Sequence, residues 1–317
     1  MIKHWLILGL LLKAMVVNGQ QQGLVTQYMY NKVSVNPAYA GNTGQKTIAA
    51  HLREQWIGIK GAPSLQMVSF DMPFMGSDNG WGLNIKRSSV GISSKTSISG
   101  MYAYKIPVTD GFLSFGLEPG IQNFRMNFGD PDLFAYDGIE TDESLNGKSV
   151  NKNSFLLGFG AYYRNEKSYF GVSIPSFFTT NFDIDQNTIK SGDELQVNLM
   201  AGYALQMGDD QMLMIQGFSR YTSSYPLNLD LNATILLDKK FDIGLGYRIG
   251  SGVLANLHKS VSATFGLKIT DNVFAACSYD YALSALRYNQ IGSFEVMASY
   301  RFPGKTPFNP GLNPRFF

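Results

Sequence analysis

The stretch Pro226-Leu227-Asn228-Leu229-Asp230-Leu231-Asn232-Ala233-Thr234-Ile235-Leu236-Leu237 decides the fold. Its odd positions from Leu227 to Ile235 are apolar, and its even positions are Asn228, Asp230, Asn232 and Thr234. Side chains two apart share one face of a strand, so this is a strand with one greasy and one wet face. The next segment repeats the plan, with Phe241, Ile243, Leu245 and Tyr247 set against Asp242, Gly244, Gly246 and Arg248. Working outward, Val261 to Leu267, Phe294 to Phe302, Trp81 to Ile85 and Val197 to Tyr203 alternate in the same way. Segments 46–56, 64–73, 94–105, 111–121, 154–164, 168–175, 211–221 and 272–283 are less regular and of similar length. Together they make fourteen strands.

Past residue 45 no apolar run is long enough for a membrane helix. Aromatic residues at 13% and 33 glycines, with only 16% charged residues, suit strands that face lipid on one side. The connections alternate as well. Short polar turns fall at 108–110, 164–167, 207–210, 238–240 and 270–272, and longer links at 122–153, 176–194, 249–259 and 284–292. Short periplasmic turns opposite long external loops are the habit of outer-membrane barrels. A soluble sandwich also alternates, but it leaves strand edges that closure removes. The reading is an all-β transmembrane barrel of about fourteen antiparallel strands spanning 45–302, with its N-terminus on the periplasmic side. Pro119-Gly120 should end or bulge the fifth strand.

The chain opens with Lys3 and His4 before the apolar run Trp5 to Leu12, which continues to Val17. This is the pattern of a secretory signal peptide over 1–19, with cleavage after Val17-Asn18-Gly19. Removing Lys3 and Lys13 leaves basic and acidic residues in equal number, so nothing indicates nucleic acid. The lone Cys277 cannot make an internal disulfide.

Residues 20–44 do not alternate but pack aromatic, amide and turn residues densely, in Gln27-Tyr28-Met29-Tyr30-Asn31 and Asn36-Pro37-Ala38-Tyr39-Ala40-Gly41. An ordered segment in or under the lumen fits this composition. The Pro-rich tail 303–317 is a poor strand, readable equally as a periplasmic docking segment and as an unstructured end. Charges at inward positions, among them Arg248, Asp280, Glu295 and Arg301, either line a channel or form a polar network that fills the lumen.

Catalytic signals are weak. His51 and His258 have no metal-ligand spacing, and the acids of 125–152 lack an EF-hand pattern. His258-Lys259-Ser260 has the parity of the lumen, whereas a lipid-cleaving site would have to reach the bilayer. No enzyme, cofactor or metal is expected.

The two N-terminal blocks, followed by Gln55-Trp56 and Gly61-Ala62-Pro63, resemble the PorP/SprF family of type IX secretion system membrane proteins. The resemblance continues at Gly171 to Pro175, Gly244 to Arg248, Tyr279-Asp280-Tyr281, Phe294-Glu295-Val296 and Ser299 to Phe302. It departs at Phe294, where a His is expected, and in the length of the tail. It implies a Bacteroidota outer-membrane component of the secretion and gliding motility machinery. Such a component would be an adaptor or anchor for export or surface attachment of large secreted proteins. Its implied partners are a cargo's C-terminal domain, or periplasmic ring and lipoprotein components, besides membrane lipid. The partner or plug candidates are Gln27, Tyr28, Met29, Asn31, Asn36, Pro37, Tyr39, Gly41, Trp56 and Pro63. The alternative is an outer-membrane channel for small solutes.

Overall fold

The computed structural model describes residues 25–74, 79–129, 149–177, 181–185, 189–192, 195–222, 225–250 and 259–303. The expected signal peptide and the tail beyond Pro303 lie outside these residues, as does the acidic stretch 130–148.

Among the described residues, fourteen of the sixteen strands close into one antiparallel barrel. They are β1 (Thr47–Glu54), β2 (Ser64–Pro73), β3 (Gly80–Val90), β4 (Ser93–Val108), β5 (Gly111–Asn127), β6 (Ser149–Asn165), β7 (Ser168–Ile174), β10 (Gln196–Gln206), β11 (Gln211–Thr222), β12 (Tyr225–Leu237), β13 (Phe241–Gly250), β14 (Ser260–Lys268), β15 (Val273–Ala282) and β16 (Ser293–Arg301). Strands β8 (Asn181–Asp185) and β9 (Ile189–Gly192) form a separate hairpin in the link between β7 and β10. Closure is made by β1 against β16, in register from Thr47↔Arg301 to Glu54↔Phe294. Every barrel strand thus has a neighbour on both sides, which satisfies the backbone in a medium without water.

Alternation assigns the faces. Along β12, Leu231 and Ile235 are exposed to lipid while Asp230, Asn232 and Thr234 are buried in the lumen. The β12–β13 turn is tight because Asp238 and Lys239 both take positive φ, 51° each. Two such residues in succession twist a hairpin in the sense its strands require.

Two features differ from expectation. Strands β5 and β6 do not stop near 121 and 154 but stay paired from Gly111↔Asn165 to Asn127↔Ser149. Their outer parts rise past the lipid-facing band, where no apolar alternation is needed, so the hydropathy pattern fades before the ladder does. Pro119 neither ends nor bulges its strand. The ladder to β4 omits Glu118 and Pro119 opposite Gly100 and Met101, and resumes in unchanged register at Ser99↔Gly120. The missing N–H of Pro119 therefore costs a local gap only.

The end bearing the turns 109–110, 166–167 and 238–240 is periplasmic by the rule for such barrels. The opposite end carries the longer links, but also two short ones, 91–92 and 223–224. Alternation of link length holds in trend and not strictly.

Candidate functional site: the occupied lumen

Residues 25–46 thread the barrel interior as three successive 3-10 turns, Tyr28–Tyr30, Lys32–Ser34 and Pro37–Tyr39. Asn36 caps the third, its Oδ1 accepting from Ala38 N at 3.0 Å, with Pro37 at the first position where a missing N–H is harmless. Gln27, Tyr28, Met29, Asn31, Asn36, Pro37, Tyr39 and Gly41 are all buried. The segment crosses from the loop end to the turn end of the lumen, so Thr26 lies at the outer end and not on the expected periplasmic side, and only the first strand starts from the periplasm.

At its start, Thr26 and Gln27 meet a ring of charges contributed by β1, β12, β13, β15 and β16. Glu295 accepts from the backbone N–H groups of Thr26 and Gln27 at 2.9 and 2.7 Å, and from Arg53 Nη1 at 2.6 Å. His51 Nε2 lies 2.7 Å from Glu295 Oε1, the oxygen that also accepts from the Gln27 N–H. Arg53 also donates to Asp280 at 2.7 Å. Arg248 grips Asp230 through Nε and Nη2, at 2.5 and 3.1 Å, and reaches Asp280 at 3.3 Å. The Thr26 hydroxyl sits at the centre, donating to Asp280 at 2.7 Å and accepting from Arg53 at 2.9 Å and Arg248 at 3.1 Å. Glu295 is fully buried and Arg53 is 1% exposed. Buried charges survive only when paired and hydrogen-bonded, so the ring and the segment depend on each other.

In the middle, contacts are aromatic. Tyr28 stacks on Phe218 at 4.8 Å, and Tyr39 meets Tyr162 edge-on at 5.3 Å. Lys32 sits with Nζ 4.7 Å from the Tyr169 ring and donates to Met29 O at 3.1 Å. The ring face replaces part of the hydration that the ammonium loses. Asn36 Nδ2 donates to Ala161 O at 3.1 Å and Val172 O at 3.2 Å on β6 and β7. The wall makes room there with glycines: a Cβ at Gly160 would overlap Asn36 Oδ1, and one at Gly116 would overlap Ala38 N.

At the turn end Gly41, with φ +65°, is clasped between β2 and β4. Its N–H donates to Asp71 at 3.1 Å and its carbonyl accepts from Lys105 Nζ at 2.6 Å. A Cβ there would lie 2.7 Å from Gly80 Cα, so only glycine fits.

The structure brings Arg248, Asp280 and Glu295 together, as their parity implies. It does not bring Arg301 to them. Arg301 shares the inward parity of Glu295 but lies six residues along β16, roughly 20 Å toward the turn end. Trp56 and Pro63 also lie apart from the lumenal segment, in the link between β1 and β2 at the loop end. There Trp56 holds a positive φ of 49°, and its N–H donates to Ser293 Oγ at 3.2 Å. Arg53 and His51 are the residues that sequence reading missed. The signal was present in Ile48-Ala49-Ala50-His51-Leu52-Arg53, which alternates like the cleaner strands.

The arrangement holds a peptide segment through its charges, aromatic rings and glycine gaps. Among the described residues no group of three His, Cys, Asp or Glu side chains is placed to hold a metal ion. His258 lies outside the described residues.

Comparison with solved structures finds the same fold in outer-membrane barrels of distant sequence. The CymD monoaromatic hydrocarbon channel aligns over 90% of this chain and 95% of its own, at TM-score 0.52 and 11% identity. The Pseudomonas putida toluene transporter TodX aligns over 89% and 98%, at 0.51 and 10%. The Ralstonia pickettii toluene transporter TbuX aligns over 87% and 93%, at 0.50 and 9%. At such identities the likeness extends to the barrel alone. No curated protein matches the sequence. The family model described as type IX secretion system membrane protein PorP/SprF matches residues 17–300, which takes in the lumenal segment and the barrel. The chain is therefore an outer-membrane barrel that belongs to the PorP/SprF family of type IX secretion system membrane proteins.

Proposed function

We propose that this barrel serves the type IX machinery as a sealed docking platform, an adaptor or anchor for large secreted proteins, and not as a route for solutes. The observation that carries the reading is the occupied lumen. Residues 25–44 run its length and are fixed at both ends by charged or charge-assisted hydrogen bonds, which together resist release far more than one contact would. A channel for small solutes would need that segment to leave, exposing the charge ring without its central hydroxyl and peptide donors.

The surfaces left for a partner are the two ends. At the loop end the link carrying Trp56 and Pro63 is joined to the last link by paired backbone bonds, Ile57 N to Gly292 O and Ile291 N to Ile57 O, each 2.8 Å. That makes an ordered rim suited to a cargo's C-terminal domain. On the periplasmic side the Pro-rich tail 303–317 is the candidate contact for ring or lipoprotein components.

Purification in mild detergent followed by mass spectrometry tests the reading. Recovery of one very large secreted protein supports an anchor, and enrichment of periplasmic ring proteins supports an adaptor. Recovery of neither, from cells actively secreting, contradicts both.

A further inference from the structure

On five neighbouring strands the lipid-facing side chains change from apolar to polar at one registered row. The last apolar row is Val68, Ile85, Ile98, Ile121 and Phe155, paired one to the next across β2 to β6 and exposed by 42, 41, 45, 57 and 80%. Two residues further toward the loop end the row reads Gln66, Arg87, Thr96, Asn123 and Asn153. The row beyond it carries Arg125 between Ser94 and Asn151. A switch this sharp marks where hydrocarbon gives way to headgroups on the outer leaflet.

Arg87 and Arg125 are both exposed, and across β2 to β6 neither row contains an acid, the second row reaching Glu54 only on β1. Among the described residues neither guanidinium has an ion pair or a hydrogen bond. The side-chain oxygens of Asn151 and Asn153 accept from Asn123 Nδ2, at 2.5 and 2.6 Å. The arginines stand two strands and two residues apart, about 12 Å between backbones. Two guanidinium forks at that spacing, just outside an apolar boundary, match a headgroup bearing more than one phosphate, each held in bidentate fashion.

We propose that Arg87 and Arg125 dock the phosphorylated headgroup of an outer-leaflet glycolipid. The lipid's acyl chains would lie along the apolar row beneath, where Phe155 is the most exposed side chain. This site is on the outer wall and does not depend on what the lumen or the rims bind.

The test uses the full chain in neutral detergent, with binding of a bisphosphorylated glycolipid read by native mass spectrometry. Dephosphorylated glycolipid and inorganic phosphate serve as comparisons. Binding should require the phosphorylated lipid and weaken about fivefold per arginine removed, hence roughly 25-fold in Arg87→Gln/Arg125→Gln. Both positions face outward, so the variant should keep its folded band in cold electrophoresis, and Arg87→Lys/Arg125→Lys should bind with intermediate strength. Equal binding by the glutamine variant, or equal binding of the dephosphorylated lipid, would overturn the proposal. So would inorganic phosphate competing at the same concentration, or both arginines being protected by a co-purifying acidic protein instead.

Discussion

Glu295 has its carboxylate bonded to two peptide N–H groups of the lumenal segment and to His51 and Arg53 of the adjacent strand. Removing it leaves two buried backbone donors without an acceptor and Arg53 with Asp280 as its one remaining carboxylate, at a cost of about 3–5 kcal/mol. Glu295→Ala should therefore lower the free energy of unfolding by that amount and the denaturant midpoint in proportion, measured from loss of the folded band in electrophoresis. The Arg248–Asp230 pair makes a sharper case, because its charges cancel each other. Each single change, Arg248→Met or Asp230→Leu, should cost more than half of what the double change costs, with the double change falling well short of the sum. Additive losses would show that the pair is not coupled in the folded barrel.

At the scale of elements, the lumenal segment and its wall are matched by shape as well as charge. The small side of β6 at Gly160 lets Asn36 bridge to Ala161 and Val172, and the same close approach at Gly116 admits Ala38. Gly160→Val should expel the middle of the segment while leaving the fourteen-strand ladder intact. Limited proteolysis should then cut within 25–44, where the native protein resists, and the folded barrel band should persist. Gly100→Ala is the matched control, since nothing lies within 4 Å of a Cβ there. This fit was the least legible part of the sequence. A glycine facing inward looks the same whether it borders water or a peptide, and only the composition of 27–41 hinted that something ordered had to sit somewhere. The strands were legible because lipid on one face and polar groups on the other impose a period of two wherever the wall crosses the membrane. Beyond the membrane that constraint lapses, which is why β5 and β6 run longer than their apolar pattern. Charge parity found Arg248, Asp280 and Glu295. Height along the strand, which separates Arg301 from them, needed the register.

For the whole molecule, membership of the type IX family and closure into a barrel place the protein in the outer membrane, and an N-terminal segment occupies the lumen. A hydrophobic band, a charge ring near the loop end, an aromatic middle and a clasp at Gly41 are stacked along one axis, and a single N-terminal segment links the last three. Reconstitution in planar bilayers tests that account most directly. The native protein should show no steady conductance, and Gly160→Val should open a steady current through a barrel of unchanged fold. A stable ohmic conductance in the native protein, unchanged by Gly160→Val, would contradict the sealed platform.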